Sequence, residues 1–271
     1  HLPPNCFALL LKVHHAAMDG ATGAQFMNIV HDLCPEGQEI EPAGPWVVEK
    51  PSRARMLGKA YVDAWKKPGE MFRFARSMVP AYQRIREGKK RNDFRSLEDK
   101  QKTRFQGKIS RHRVVDAVKF DFDDIRAIKN TSPGATINDA MLTIVSGALK
   151  RYLESKNELP EHSLVTGCPI DVRSEAERSA GGNMVGFMNV SLCSNIADPA
   201  QRLAAIHQES VGAKAYAQAL GPRIAMDITD VVPGNVLSVA LRAASSTGLT
   251  EANVVFNTIV TNVPGPPFQM Y

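Results

Sequence analysis

The sequence predicts an α/β fold in which mixed β-sheets are flanked by helices. Apolar runs with the composition of buried strands occur at residues 6–13, 163–170 and 187–193. Segments with helical apolar spacing lie between or after them, at residues 136–152 and 198–220. The 271 residues include 44% hydrophobic and 23% charged residues, as in ordinary globular proteins. This length allows one large domain or two smaller ones.

The cysteines and the hydropathy pattern favour an intracellular protein without a membrane-spanning helix. Cys6, Cys34, Cys168 and Cys193 are scattered and form no CxxC pair, which favours a reduced intracellular compartment. No apolar run has the length of a membrane-spanning helix, and no secretory signal is visible.

The first strand ends in the most informative stretch, Val13-His14-His15-Ala16-Ala17-Met18-Asp19-Gly20. Neighbouring side chains of a strand point to opposite faces, so His14 and His15 cannot line one cavity unless the strand has ended. A histidine at such a rigid corner suits a general base. A structural histidine and a metal site are alternatives, but no third ligand cluster of the usual spacing supports a metal.

The next segments predict helices and connectors. Asp19 and Gly20 favour a tight turn before a helix at residues 21–33, which Pro35 should stop. An exposed connector is expected at residues 38–51. Two helices should follow at residues 52–66 and 70–87, separated by a break at Pro68-Gly69, with a kink at Pro80.

Residues 84–113 form a concentrated basic stretch. They contain 12 lysines or arginines and 4 aspartates or glutamates, an excess of eight positive charges, whereas the whole chain carries +5. Such a run usually forms a solvated, flexible crossover between domains. The functional alternative is that it attracts anions, either the phosphates of a ligand or an anionic membrane surface. Nucleic acid is disfavoured because aromatic residues are few here and no nucleic-acid-binding fold is recognisable.

The second half begins with a predicted strand at residues 113–122. Asp123 and Asp124 should cap a helix that ends near Lys129. Thr136 is the predicted N-cap of the next helix, and Asp139 in its first turn should stabilise the helix dipole.

The remaining segments alternate in the same way. Asp198-Pro199 should start a helix that runs to about Leu220. A glycine-rich loop is expected before this helix, at 181–186, and a strand is expected near the end of the chain, at 253–261. Between them we expect two short helices rich in small and apolar residues, at 223–232 and 235–244, which either belong to the core or line an apolar tunnel.

Three short strings stand out in this sequence: HHxxxDG at residues 14–20, Asn138-Asp139, and Asn262-Val263-Pro264-Gly265-Pro266. They resemble signatures of the wax ester synthase/diacylglycerol acyltransferase branch of the CoA-dependent acyltransferase superfamily. The segment from Pro169 to Arg173 also resembles the family's Pro-x-x-x-Arg. The resemblance implies a two-lobed chloramphenicol acetyltransferase-like fold. It divides the chain into the end of an N-terminal lobe (1–36), a helical and basic connector (37–112) and a C-terminal lobe (113–271). By this resemblance the chain as a whole is expected to be a fragment that lacks the family's N-terminal part and last strands.

The resemblance also implies a reaction and a set of residues. His15 would be the general base for direct acyl transfer, with no covalent intermediate. His14 would support it, and Asn138 is the candidate oxyanion donor. Asp19 and Gly20 would belong to the same catalytic set by shaping the turn. Structural support is expected from Asp139, Arg173, Asn262, Pro264 and Gly265. Because a buried, unpaired carboxylate is costly, we expect Asp19 to pair with Arg173.

The implied partners are fatty acyl-CoA as co-substrate and a long-chain alcohol or diacylglycerol as acceptor. No separate cofactor, metal or nucleic acid is expected. The protein would be cytoplasmic, peripherally attached to the inner membrane or to lipid droplets. Two alternatives stay open: a condensation or acyltransferase domain that uses carrier-bound acyl groups, and a non-catalytic lipid-binding relative.

Overall fold

The structure, a computed structural model, contains six helices and three strands in the part of the chain that it describes. The described residues are 12–14, 18–32, 34–37, 44–45, 50–91, 102–107, 110–171, 185–221, 234–247, 255–263 and 265. The helices are α1 (Gly20–Ile29), α2 (Arg53–Arg91), α3 (Phe122–Asn130), α4 (Ile137–Glu154), α5 (Pro199–Leu220) and α6 (Gly234–Ser246). The strands are β1 (Val165–Asp171), β2 (Val185–Ser191) and β3 (Thr258–Ile259).

The described strands form one sheet in the order β2-β1-β3. β1 and β3 run parallel, with Thr166 opposite Thr258. Buried Asn257 reinforces this edge, because its side-chain oxygen accepts a hydrogen bond from Val165 N at 2.9 Å. Gln106 donates to the Asn257 carbonyl at 3.0 Å, so a distant loop is tied to the same edge. The α/β class predicted from the sequence is confirmed.

The core lies where α4 and α5 pack together and against the sheet. Its fully buried side chains come from all of these elements and their flanks: Leu142, Leu153, Leu164, Val190, Leu192 and Ile206. The helix starts that the sequence predicted here are confirmed. Thr136 caps α4, and Asp198 caps α5 by accepting from Gln201 N at 2.8 Å.

The predicted break at Pro68-Gly69 is wrong. α2 continues through both Pro68 and Pro80 for 39 residues. An internal proline removes one backbone hydrogen bond and costs roughly 3 kcal/mol, but that cost need not end a helix held elsewhere by packing. The second half of α2 is held in this way, since α2 packs on α5 and Arg84 Nε donates to the Ala219 carbonyl at 2.9 Å.

The predicted strand at residues 113–122 is also wrong. Residues 112–121 are exposed and irregular, and Val114 and Val115 are 97% and 90% exposed. A strand is defined by its hydrogen bonds to a neighbour, and none of the three described strands pairs with this segment. The N-cap of the following helix, α3, is Asp121, two residues before the predicted Asp123.

Other predicted elements have mixed outcomes. The helix after Gly20 is confirmed but ends at Ile29, before Pro35. The helix at 235–244 is confirmed as α6, and the last strand is shorter than predicted, at Thr258–Ile259. The helix at 223–232 lies outside the described residues, as do most of the strand at 6–13, of the 38–51 connector and of the 181–186 loop. Lys12 and Val13, at the end of that predicted strand, are described and are exposed and irregular.

The chain divides into two compact units. The first contains residues 1–50, 171–185 and 263–271, and the second contains residues 51–170 and 186–262. Among the described helices, none is both long and apolar enough to cross a membrane. The boundaries predicted at 36/37 and 112/113 stay predictions.

Candidate active site

In the first unit, Asp19 fixes the turn that follows the histidine pair. It is only 3% exposed, and its Oδ1 accepts a hydrogen bond from Thr22 N at 2.9 Å. Gly20 is the first residue of α1, so Asp19 is the N-cap of that helix. A carboxylate at this position satisfies one of the free N–H groups of the first turn and is favoured by the helix dipole. The predicted turn at Asp19-Gly20 is therefore a helix start.

Gly20 lies against the segment that carries the third signature. A Cβ added at Gly20 would lie 3.0 Å from Val263 Cγ2, which is closer than side chains normally approach. The HHxxxDG string and the Asn-Val-Pro-Gly-Pro string, some 240 residues apart in sequence, therefore meet in space. Asn262 and Gly265 are exposed, and Pro264 lies outside the described residues.

The remaining predicted residues of the first unit have separate outcomes. His14 is exposed at the end of the described segment 12–14. His15 and Arg173 lie outside the described residues, so the base and the Asp19–Arg173 pair stay predictions.

In the second unit, Asp139 closes a reciprocal cap at the start of α4. Its Oδ2 accepts from both the backbone N and the Oγ1 of Thr136, each at 2.9 Å, while Thr136 Oγ1 accepts from Asp139 N at 3.2 Å. Asp139 is 1% exposed, so the carboxylate of this cap is buried, whereas Thr136 is partly exposed. The predicted supporting role is thus more specific than a dipole effect, because one carboxylate fixes the first turn of the helix.

His207 on α5 completes this arrangement and was not predicted. Its Nδ1 lies 3.0 Å from Asp139 Oδ2. A carboxylate only accepts hydrogen bonds, so Nδ1 must carry the proton. The two residues are 68 positions apart, and no local pattern marks His207. The only signal in the sequence was indirect, since a buried aspartate needs donors.

The pKa of Asp139 lies below its ordinary value although the group is buried. Burial alone raises the pKa, and hydrogen bonds from Thr136, Ser210 and His207 more than offset that effect. Asp139 Oδ1 and Ser210 Oγ are the two buried side-chain atoms, among the described residues, that lack a partner in full hydrogen-bond geometry. Ser210 nevertheless favours the charged carboxylate and so contributes to the lowered pKa of Asp139.

Asn138 sits beside this network with its amide available. It is the second residue of α4 and is partly buried. No residue in the described part of the chain forms a hydrogen bond with its side chain. The N-terminus of an 18-residue helix also carries partial positive charge. This position is suited to donate to an anionic oxygen.

Cys168 on β1 is a buried cysteine that interacts electrostatically with Asp139 and could be mistaken for a nucleophile. The residue is 3% exposed, and burial raises the pKa of its thiol to about 11. A hydrogen bond with Thr166 opposes this shift, and the Asp139 charge adds to it. The thiolate is the reactive form, so this cysteine is inert at neutral pH. Cys34, Cys168 and Cys193 are free of disulfides.

Comparison of this sequence with models of known families tests the resemblance noted above. The wax ester synthase/diacylglycerol acyltransferase catalytic domain matches residues 2–141. The C-terminal domain of the same family matches residues 181–271. The chain belongs to this family. The first domain match includes the HHxxxDG string and Asn138-Asp139, and the second includes the Asn-Val-Pro-Gly-Pro string.

Related members are bacterial proteins named diacylglycerol O-acyltransferases. One from Mycobacterium tuberculosis strain CDC 1551 is 30% identical over 270 residues, covering 97% of this chain and 52% of the relative. Another from the same strain is 28% identical over 278 residues, covering 98% and 57%. The chain thus spans about half the length of the curated relatives it matches.

A solved member of the family has the same fold. The wax ester synthase/diacylglycerol acyltransferase from Marinobacter aquaeolei VT8 matches with a TM-score of 0.52 and 19% sequence identity. The match covers 96% of this chain and 52% of that structure. The fold prediction made from the family resemblance is confirmed.

Proposed function

We propose that this chain is part of an O-acyltransferase that makes neutral lipids from a fatty acyl-CoA and an alcohol. The acceptor would be a long-chain alcohol, giving a wax ester, or diacylglycerol, giving triacylglycerol. The observation that carries the proposal is the close approach of Gly20 to Val263, because it brings two family signatures into one place. Membership of the family supports the class of reaction.

The chemistry assigned to His15 follows from the weak acidity of an alcohol. His15 removes the hydroxyl proton while the alcohol oxygen attacks the thioester carbonyl, forming a C–O bond and a tetrahedral oxyanion. The C–S bond then breaks, the carbonyl re-forms, and the histidine returns the proton to the departing thiolate of CoA. His14 supports this base, and Asp19 and Gly20 hold the turn that follows it.

Asn138 is assigned to the oxyanion. Its amide has no hydrogen bond to any described residue, and the start of α4 adds the positive end of a helix dipole. A donor that is already in position stabilises the charge that appears only in the transition state. Removal of one such donor typically lowers kcat by about 10²–10³-fold.

Direct transfer without an acyl-enzyme is the proposed route. The buried Cys168, with a pKa of about 11, cannot supply a thiolate at neutral pH. The imidazole needs only to move a proton, so no protein nucleophile and no separate cofactor enters the scheme.

An acceptor assay with the full-length protein tests the proposed reaction. Radiolabelled palmitoyl-CoA is offered with hexadecanol, with diacylglycerol, or with neither, and lipid products and free CoA are both measured. We expect ester formation with at least one acceptor, and CoA release that requires the acceptor. CoA release without an ester would indicate a hydrolase, and no product would favour a non-catalytic lipid-binding protein.

The carrier-dependent alternative is tested in the same assay. A palmitoyl thioester of an acyl carrier protein replaces palmitoyl-CoA at equal concentration. The proposal predicts a higher kcat/KM for the CoA thioester, and a clear preference for the carrier-bound donor would contradict it.

We further propose that α2 attaches the protein to an anionic lipid surface, such as the inner membrane or a lipid droplet. Exposed apolar side chains recur along α2 at spacings of four and seven residues, which places them on one face: Leu57, Tyr61, Trp65, Phe72 and Val79. The helix also carries 12 basic and 3 acidic residues. Apolar and basic residues together favour the interface of a membrane that contains anionic lipids.

Trp65 provides the readout for this attachment. It is 72% exposed, and the chain has one other tryptophan, Trp46, which can be replaced by phenylalanine. On vesicles with phosphatidylglycerol, Trp65 emission should shift to shorter wavelength, and Lys59→Gln with Arg73→Gln should weaken binding by roughly 30-fold. Equal binding to phosphatidylcholine vesicles, or binding that salt does not weaken, would contradict the proposal.

A further inference from the structure

We propose that His207 is a positioning residue for the oxyanion donor, acting through Asp139 on the first turn of α4. This inference rests on the proposed function, because it takes Asn138 as the donor. His207 itself need not touch substrate. Its role is to hold the Asp139 carboxylate, which caps α4 and thereby fixes the position of Asn138.

The first step is the link between two helices. His207 lies on α5 and Asp139 on α4, and the contact of Nδ1 with Oδ2 at 3.0 Å joins them. The same Oδ2 also receives both donors of Thr136. Asp139 Oδ2 therefore accepts both the hydrogen bonds from Thr136 and the hydrogen bond from α5. A shift of the His207 imidazole would consequently displace the first turn of α4.

The second step is the dependence of Asn138 on that cap. The Asn138 side chain has no hydrogen-bond partner in the described part of the chain, so no contact there fixes its amide. Its position is set by the backbone of the first turn, between capping residue Thr136 and Asp139. If that turn loosens, the donor moves by fractions of an ångström, and misplacement by about 1 Å can cost roughly 10²-fold in rate.

The third step is that the structure keeps a place for the imidazole. Gly134 has a φ of +80°, and a Cβ added there would lie 3.1 Å from His207 Nε2. The ring is thus fitted between the Gly134 backbone on one side and Asp139 on the other. On the same helix Ser210, about one turn further, also favours the charged form of this carboxylate. Among the described residues of α5, the hydrogen bond to the carboxylate comes from His207.

The experiment combines kinetics with hydrogen exchange on the full-length protein. His207→Leu removes the donor, His207→Asn keeps an N–H near the position of Nδ1, and His207→Gln places it nearer Nε2. We expect kcat to fall about 10- to 100-fold in His207→Leu and His207→Gln with KM within twofold, and to recover to within about threefold in His207→Asn. His207→Gln also serves if His207→Leu does not fold.

Coupling to Asn138 distinguishes positioning from mere structural support. Asn138→Ala should lower kcat, and adding His207→Leu to it should cause no further loss, because the donor being positioned is already gone. The backbone amides of Asn138 and Asp139 should exchange faster in His207→Leu and return to wild-type rates in His207→Asn. Additive kinetic losses, or unchanged exchange in His207→Leu, would overturn the inference.

Failure of the proposed function gives a different result. If Asn138→Ala retained full activity while His207→Leu still accelerated exchange in the first turn of α4, the tie between the helices would stand. The assignment of Asn138 as donor would then fall, and with it the catalytic part of this inference.

Discussion

Replacement of Asp139 by alanine should destabilise the second unit strongly. The carboxylate is 1% exposed and accepts from Thr136 N, Thr136 Oγ1 and His207 Nδ1. Thr136 Oγ1 still accepts from the backbone N of residue 139, so the N-cap bond itself remains. The three donors that lose their acceptor are partly buried, so each costs about 1 kcal/mol, the lower end of the range for a buried group. We therefore expect Asp139→Ala to lower the free energy of unfolding by about 3 kcal/mol.

Equilibrium urea unfolding measures this loss, and amide exchange in α4 confirms that it arises in the second unit. Asp139→Asn is the matched control, because it keeps the shape and one acceptor oxygen but removes the charge. It should lose roughly half as much stability as Asp139→Ala. A loss below about 1 kcal/mol for Asp139→Ala would refute the reasoning, since it would mean that the buried donors find other partners.

The pH dependence of the same pair has a defined sign. The folded-state pKa of Asp139 is lowered from 3.8, so the group stabilises the fold in its ionised form. This contribution is complete above the unfolded-state pKa and is lost as the pH falls through the folded-state pKa. The stability gap between wild type and Asp139→Asn should stay constant above about pH 5 and narrow below it. A gap that widens on acidification would contradict the charged assignment.

Three further predictions concern close approaches and the buried thiol. Gly20→Ala should impair acyl transfer, because the added Cβ would lie 3.0 Å from Val263 Cγ2, and adding Val263→Ala should restore the activity. If Gly20→Ala and the double variant were equally active, the close approach would have no role in the reaction. Gly134→Ala should lose more stability in urea than Gly221→Ala, since both have positive φ but only the former meets a side chain, that of His207. Native Cys168 should resist alkylation at pH 8 while Cys34 reacts, and Cys168→Ser should keep acyl transfer; rapid modification or loss of activity would reinstate it as a nucleophile.

The helix starts of the second unit were predictable because they are local. A capping residue and its partner lie three positions apart, so the sequence shows both, as with Thr136 and Asp139 or Asp198 and Gln201. The same locality explains the correct assignment of α1 after Asp19. Signature strings were readable for a similar reason, since each occupies a few consecutive residues.

The errors and omissions arise from contacts between distant residues. Whether Pro68 ends a helix depends on what the rest of α2 packs against, and Ala219 on α5 is far away in sequence. Whether residues 113–122 form a strand depends on a sheet neighbour, which alternation alone does not supply. His207 became visible only when folding brought α5 against α4.

The central claim is that His15 moves the proton in acyl transfer, and a kinetic comparison of the two neighbouring histidines tests it most directly. Full-length wild type, His15→Ala and His14→Ala are assayed for ester formation from radiolabelled acyl-CoA, with circular dichroism to confirm that each variant is folded. We predict that His15→Ala loses at least about 10²-fold in kcat, the scale of a general base, and that His14→Ala loses less. Full activity in folded His15→Ala would contradict the account.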